Sequence, residues 1–263
     1  MARIKKNGRK SMWFYLGVGA VVLIFLAWLG VSVYLRTILP GRLFETDKSR
    51  SKIHLKHTTD FVKNKKGEKI EIVTFPGKNS KEIILYLHGS VGRLANVVTG
   101  AREAGIVVSP AFPGYAKSEG KPTTQNIYET VDVTMKYLHE SGYKDENIVV
   151  LGHSMGGSAG IYAAILYPNL KKVVLVNTFY SIQKICNMDH KGFCLLTSDV
   201  LNSGLLAPHT KAKIRQFHDE GDKVVPFTHG QSLFEKLGSR DKKFFIHGGT
   251  HRFFNVKNAL TKE

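Results

Sequence analysis

A single serine stands between two glycines at the point where a run of aliphatic residues ends. Gly152, Ser154 and Gly156 form the pattern G-x-S-x-G, with a predicted buried strand over 147–152 before it and a predicted helix over 156–167 after it. A sharp turn from strand to helix strains the backbone of the serine, and side chains two residues before and after it would collide. The turn also directs the N–H groups of the helix start towards an oxyanion. The pattern therefore predicts Ser154 as a nucleophile.

The alternative for this segment is the glycine-rich joint of a nucleotide-binding fold. In that fold a G-x-G-x-x-G pattern follows the first strand, because the backbone must approach a pyrophosphate closely there. The sequence has no such pattern after its first predicted strand. The nucleophile interpretation is therefore favoured.

A serine hydroxyl is a weak nucleophile unless a base takes its proton and an acid orients the base. Two later segments offer these groups in the order acid, then histidine. The segment 216–226 contains Asp219 and Asp222, and the segment 245–254 contains His247 and His251. Both follow predicted strands, and open α/β sheets place their sites at the carboxyl ends of strands.

The elements that must position these residues alternate along the chain. Most of the predicted strands are continuously apolar, as strands covered on both faces are. This alternation predicts an α/β fold around a mainly parallel sheet flanked by helices. Residues 180–211 interrupt the alternation and are predicted to form a short cap insertion over one end of the sheet. The predicted strands are 69–75, 82–88, 147–152, 171–177, 213–219 and 242–248, together with a strand that starts in 106–114 and is broken there by two prolines. The predicted helices are 93–105, 126–142, 156–167 and 230–238.

Over roughly residues 68–255 the chain resembles the α/β-hydrolase superfamily. Within it the chain is similar to serine hydrolases of the monoacylglycerol-lipase, lysophospholipase and depalmitoylase-like type. "LYLHGSVG" resembles the oxyanion-loop strand, "GHSMGG" the nucleophile turn, "HDEGDKVVP" the acid loop and "GGTH" the histidine loop. "GYAKSEGKPT" resembles a further stretch of the family, with Ala116 where glycine is usual.

The resemblance implies a role for each matching residue. Ser154 would be the nucleophile, Asp222 the acid and His251 the base. The backbone N–H groups of Ser90 and Met155 would form the oxyanion hole. The implied reaction is acyl transfer to water through an acyl-enzyme, with no cofactor and no metal.

Four further residues near these motifs have other expected roles. Asp219 is expected to cap or turn its loop, and His247 to end its strand. His88 and His153 are expected to orient or pack neighbouring groups and not to transfer protons.

An uncharged apolar run predicts a membrane anchor near the N-terminus. No charged residue lies between Lys10 and Arg36, and about 20 such residues cross a bilayer as a helix. Tyrosine and tryptophan occur towards both ends of the run, as they do at headgroup level. A cleaved signal peptide and a buried core helix are the alternatives. The run is too long for an ordinary signal peptide and no A-x-A-like cleavage site follows it, and it lacks the polar face that a core helix needs. The predicted organisation is a basic tail (1–10), a transmembrane anchor (11–35), a linker (36–52) and a hydrolase domain (53–263).

The charge around the anchor predicts its orientation. The first ten residues carry five cations and no acid, whereas the ten residues after Leu35 carry only Arg36 and Arg42. This bias places the N-terminus in the cytoplasm and the catalytic domain outside it. Cys186 and Cys194 are the only cysteines, and they would close a small loop in an oxidising compartment or remain thiols in the cytosol.

The composition leaves several functions to weigh. The 38 lysines and arginines exceed the 21 acids by 17 charges, but they are scattered and form no dense basic stripe. Nucleic acid is therefore not an expected partner, whereas an anionic membrane surface is. The expected function is a membrane-anchored serine hydrolase of carboxylic esters, with lipid, acyl or thioester substrates. The alternatives are a peptidase or amidase on the same fold and a catalytically inactive, membrane-tethered binding protein.

Overall fold

The computed structural model describes residues 2–43, 55–90, 94–189 and 200–263. Within the first helix, side chains are described for residues 12–34. Three predictions fall at least in part outside these residues: most of the linker, the middle of the cap insertion and the state of Cys194.

Eight helices and eight strands lie within the described residues. The helices are α1 (Ala2–Leu43), α2 (Leu94–Ala101), α3 (Thr124–Glu140), α4 (Met155–Leu166), α5 (Ile182–Asp189), α6 (Ser203–Leu206), α7 (Phe227–Lys236) and α8 (Val256–Thr261). The strands are β1 (Thr58–Lys63), β2 (Lys69–Phe75), β3 (Ile83–Leu87), β4 (Ile106–Pro110), β5 (Ile148–His153), β6 (Lys172–Val176), β7 (Ile214–Asp219) and β8 (Lys242–His247).

The strands form one sheet in the order β1-β2-β4-β3-β5-β6-β7-β8. β1 pairs antiparallel with β2, and β2 pairs antiparallel with β4. The other neighbours are parallel, so β3 to β8 all end at the same edge of the sheet. The predicted fold class, a mainly parallel sheet flanked by helices, is confirmed.

Hydrophobic packing on both faces explains why the central strands are so apolar. Every residue of β5 is buried, and successive side chains point to opposite faces. Ile148 and Val150 pack with residues of α3 and α4 on one face. Val149 and Leu151 pack with residues of α2 and α8 on the other. The sheet is therefore covered on both sides, and its C-terminal edge is where loops can form a site.

The strand predicted to start in 106–114 is broken at a proline, as expected. β4 ends at Pro110, the first of the two prolines in that segment. Proline has no N–H for the ladder, and a turn follows in which the Tyr115 N–H donates to the Phe112 carbonyl. β1 has no predicted counterpart, since five of its six residues are exposed and show no apolar alternation.

The first helix contains a segment that is long and apolar enough to cross a membrane. This segment, Met12–Tyr34, has 23 residues and a mean hydropathy of 2.5. At about 1.5 Å per residue its length is close to that needed for a hydrocarbon core of about 30 Å. α1 extends past the predicted span of 11–35 at both ends.

Candidate active site

The turn between β5 and α4 places Ser154 above the sheet edge in strained backbone. Ser154 has φ 52° and ψ −115°, a left-handed conformation that side chains disfavour. Its N–H donates to the Val176 carbonyl over 2.9 Å. A Cβ atom at Gly156 would lie 2.0 Å from the Leu87 carbonyl oxygen, and one at Gly152 would lie 2.6 Å from the Gly156 carbonyl oxygen. Both glycines are therefore required for the close approach that the pattern predicts.

Three side chains from distant parts of the chain meet at this turn. The Ser154 Oγ lies 3.1 Å from His251 Nε2, and His251 Nδ1 lies 2.7 Å from Asp222 Oδ2. Asp222 also accepts the N–H groups of Val224 and Val225 at its other oxygen, over 2.8 and 2.9 Å. The Asp222 side chain is fully buried, and that of His251 is 11% exposed.

These contacts favour the ionised form of Asp222. Burial opposes the ionisation of Asp222, but the hydrogen bonds from His251, Val225 and Val224 outweigh it and lower the pKa of Asp222. An ionised Asp222 accepts the Nδ1–H of His251, and His251 Nε2 faces the Ser154 hydroxyl. The arrangement is suited to removing the proton of the Ser154 hydroxyl.

The two predicted oxyanion donors, Ser90 and Met155, lie beside the serine. Ser90 follows β3, Met155 is the first residue of α4, and both line the same cavity as Ser154 and His251. The first N–H groups of a helix have no acceptor within it, so the Met155 N–H suits an oxyanion. The structure thus gathers Ser154, His251, Ser90 and Met155 around one cavity, with Asp222 behind His251.

Comparison with known proteins agrees with this architecture. A sequence model of the α/β hydrolase fold family matches residues 106–198. The chain is 28% identical to an uncharacterized membrane protein of Saccharomyces cerevisiae, over 67% of the chain and 66% of that protein. It is 25% identical to alpha/beta hydrolase domain-containing protein 17B of Homo sapiens, over 66% of the chain and 61% of that protein. The chain therefore spans less than two thirds of the length of these relatives.

Solved structures show the same fold at low sequence identity. An esterase of Pyrococcus furiosus superposes with a TM-score of 0.62 at 16% identity, over 78% of this chain and 84% of that one. Est1E of Butyrivibrio proteoclasticus, solved with ferulic acid, superposes with a TM-score of 0.61 at 15% identity, over 76% and 97% of the two chains.

The chain has the α/β-hydrolase fold, and these matches support its assignment to the α/β-hydrolase superfamily. The family match and the human relative support a hydrolase.

The cavity beside Ser154 has a volume of about 280 Å³ and a mainly apolar wall. Part of that wall comes from the predicted cap insertion, which contributes Ile182, Ile185 and Leu201. The remaining apolar side chains among the described lining residues are those of Met155, Phe179, Val224 and Val225. Among the residues that the structure describes, no three His, Cys, Asp or Glu side chains come together as metal ligands do.

His88 and His153 bind backbone groups of the two loops beside Ser154. His88 is fully buried; its Nδ1–H donates to the Gly89 carbonyl over 2.6 Å, and its Nε2 accepts the Phe112 N–H over 3.1 Å. The Nε2–H of His153 donates to the His251 carbonyl over 2.7 Å. Burial, followed by the nearby His251, lowers the pKa of His153 to about 4, so this imidazole is neutral at physiological pH.

Asn177 is a residue of the site that the sequence did not reveal. It follows β6, is fully buried, and has φ 48°, which asparagine tolerates better than most residues. Its Oδ1 accepts the Asp219 N–H over 3.0 Å and the His247 Nε2–H over 3.2 Å. Its Nδ2 donates to the His251 carbonyl over 3.2 Å. One side chain thus connects the acid loop to the histidine loop.

Asp219 and His247, the alternatives to the proposed acid and base, lie at the ends of two strands. Asp219 is the last residue of β7, and its Oδ1 accepts the Gly221 N–H over 2.7 Å, which shapes the turn towards Asp222. β8 ends at His247, as predicted.

Proposed function

We propose that this protein is a membrane-anchored serine hydrolase that cleaves carboxylic esters. The observation that carries the proposal is the hydrogen-bonded chain from Ser154 through His251 to Asp222 at a strained turn beside a cavity. This geometry matches what a nucleophile, base and orienting acid require.

In the proposed reaction, the Ser154 Oγ attacks the ester carbonyl carbon while His251 Nε2 takes the proton of the Ser154 hydroxyl. The carbonyl π electrons move to the oxygen, and the N–H groups of Ser90 and Met155 bind the resulting oxyanion. Each such donor typically lowers the barrier by about 3 kcal/mol. Asp222 holds the imidazole and stabilises its cationic form.

The collapse of this intermediate breaks the ester C–O bond and leaves an acyl group on Ser154. His251 gives its Nε2 proton to the leaving oxygen, so an alcohol departs. A water molecule then enters, His251 removes its proton, and the same steps release a carboxylic acid and restore the serine. Every proton is accounted for by the one imidazole.

The apolar cavity wall and the candidate membrane span support acyl chains presented at a membrane as the substrate class. Six of the thirteen lining residues are aliphatic or aromatic side chains of the cap and neighbouring loops. An anchored enzyme also meets lipid esters at a raised local concentration.

Labelling by a fluorophosphonate probe tests the nucleophile. We expect Ser154→Ala in the full chain to lose all labelling and at least about 1000-fold of its activity on a nitrophenyl ester, because the attacking oxygen is missing. Ser141→Ala is the matched control, since Ser141 is exposed at the end of α3, beyond the opposite edge of the sheet.

Full labelling of Ser154→Ala would refute the assignment. An unlabelled wild-type protein would favour the inactive binding protein. A labelled protein that cleaves a nitroanilide faster than the matching nitrophenyl ester would favour an amidase.

We also propose that the N-terminus is cytoplasmic and the catalytic domain is outside the cytoplasm. The cation bias around the anchor supports this orientation. Cys186 is disulfide-bonded, which suits an oxidising compartment; Cys194, the other cysteine of the chain, is outside the described residues. Protease digestion of intact spheroplasts or cells should remove the catalytic domain, and two alkylatable thiols in unreduced native protein would contradict the orientation.

A further inference from the structure

Among the described residues that line the active-site cavity, Arg252 is the one lysine or arginine. It directly follows His251 in the chain and is exposed to solvent. Within the described part of the chain its guanidinium forms no ion pair with an acidic residue. A guanidinium offers five N–H donors in a planar fork that suits phosphate and carboxylate.

The two ends of the site differ in chemistry. The end formed by the cap contains Ile182, Ile185 and Leu201. Arg252 also lines a second cavity of about 40 Å³, which none of these three cap residues lines and which contains Asn96 among mainly aromatic and aliphatic side chains. Asn96 adds amide N–H donors, and no acidic residue is among the described residues that line either cavity. The site therefore has an apolar end for a chain and a cationic end for an anion.

We propose that Arg252 binds an anionic group, phosphate or carboxylate, in the alcohol part of the ester that Ser154 cleaves. This inference rests on the proposed function and names its substrate class: single-chain acyl esters with an anionic head. The anion is assigned to the alcohol part because Arg252 adjoins His251, which gives its proton to the leaving oxygen. The acyl chain then occupies the apolar end.

Binding of small amphiphiles to the full chain in neutral detergent tests the subsite without turnover. We expect hexyl phosphate to bind at least about 10-fold more tightly than inorganic phosphate or hexanol, since only it uses both ends. Arg252→Gln should weaken hexyl phosphate binding by about 10- to 100-fold, the usual effect of losing a hydrogen bond to a charged group. Arg252→Lys should lose less, because it keeps the charge but not the fork.

Arg240→Gln is the matched control. Arg240 is an exposed arginine just before β8, at the end of the sheet opposite the site, so its loss removes the same charge elsewhere. We expect it to leave hexyl phosphate binding within about twofold of wild type, because its distance from the cavity leaves only screened electrostatics. Hexanoate in place of hexyl phosphate tests whether a carboxylate is bound as well.

Hydrolysis of a matched ester pair gives a second readout. For hexanoyl glycerol and its 3-phosphate, the ratio of kcat/KM values should fall by about 10- to 100-fold in Arg252→Gln. An unchanged ratio, hexyl phosphate binding that Arg252→Gln does not weaken, or inorganic phosphate that binds as tightly as hexyl phosphate would each overturn the subsite. If no ester is cleaved but hexyl phosphate binding depends on Arg252, the proposed hydrolase function fails and the anion site stands.

Discussion

At the scale of single residues, the position of the proposed base depends on backbone contacts made by its neighbours. Two buried side chains, Asn177 and His153, donate to the carbonyl oxygen of His251 itself. Because Asn177 also accepts the Asp219 N–H, the loops that carry His251 and Asp222 are held relative to each other by one amide. Small errors in such geometry are costly, since reacting atoms must lie within about 0.5 Å of their productive positions.

Asn177→Ala should lower kcat for a nitrophenyl ester by about 10- to 100-fold with a smaller change in KM, because the lost hydrogen bonds position His251 and do not bind substrate. Asn177→Gly distinguishes the effect of losing the side-chain amide from the effect of straining the backbone. Glycine lacks the amide but accepts the left-handed φ of 48° without strain. We expect Asn177→Gly to lose as much kcat as Asn177→Ala but less thermal stability. A glycine variant with wild-type kcat would show that the backbone conformation, and not the amide, matters at this position.

The sequence predicted the candidate site residues that lie in recognisable motifs, but it did not predict Asn177, whose contacts are all with residues distant in the sequence. Ser154, Asp222 and His251 occur in the order of the family, each in a short pattern with turn-forming neighbours. Asn177 has no such pattern, because its partners are 42 to 74 residues away. Such contacts depend on which strands become neighbours, and local sequence does not encode that.

At the scale of secondary structure, the start of α4 is packed against the end of β3. The first turn of α4 approaches the carbonyl of Leu87 so closely that there is no room for a side chain at Gly156. This contact fixes the distance between the start of α4 and the end of β3. It therefore also fixes the position of Ser154 relative to Ser90, which lies in the loop after β3.

Gly156→Ala should lower the free energy of unfolding by about 3 kcal/mol or more, because its Cβ would be 2.0 Å from a backbone carbonyl that cannot rotate away. The matched control is Gly160→Ala one turn later, whose Cβ would be 3.2 Å from a methyl group of Leu175. That side chain can adjust, so the control should change stability by less than about 1 kcal/mol. Thermal unfolding in detergent measures both, and equal effects in the two variants would contradict the packing argument.

The elements that the sequence predicted well are those buried on both faces. β3, β5 and β6 are continuous apolar runs, and each occurs within a residue or so of its prediction. β1 is an exposed edge strand whose partner in the ladder, β2, supplies the apolar residues. α8 has only six residues, too few for a helical period to show. β1 was not predicted because it is exposed, and α8 was not predicted because it is short.

At the scale of the whole molecule, an apolar helix is combined with a basic α/β domain that contains an apolar cavity. The side chains of the span Met12–Tyr34 are almost all exposed, with 6% of its most apolar window buried. An exposed apolar surface of this size is unfavourable in water. A bilayer would cover this surface with hydrocarbon and remove the unfavourable contact with water.

This argument predicts that charges at the centre of the span release the protein from membranes. Val22→Arg combined with Leu26→Arg adds two arginines, each costing about 2.5–3.5 kcal/mol at the centre of a membrane helix. We expect sodium carbonate to extract this double variant but not the wild type. Exchanging the same two residues, Val22→Leu with Leu26→Val, keeps the hydropathy and should leave the protein in the pellet. Retention of the arginine variant, or mature protein that lacks the apolar span by mass spectrometry, would rule out the anchor, because a removed segment cannot hold the domain at a membrane.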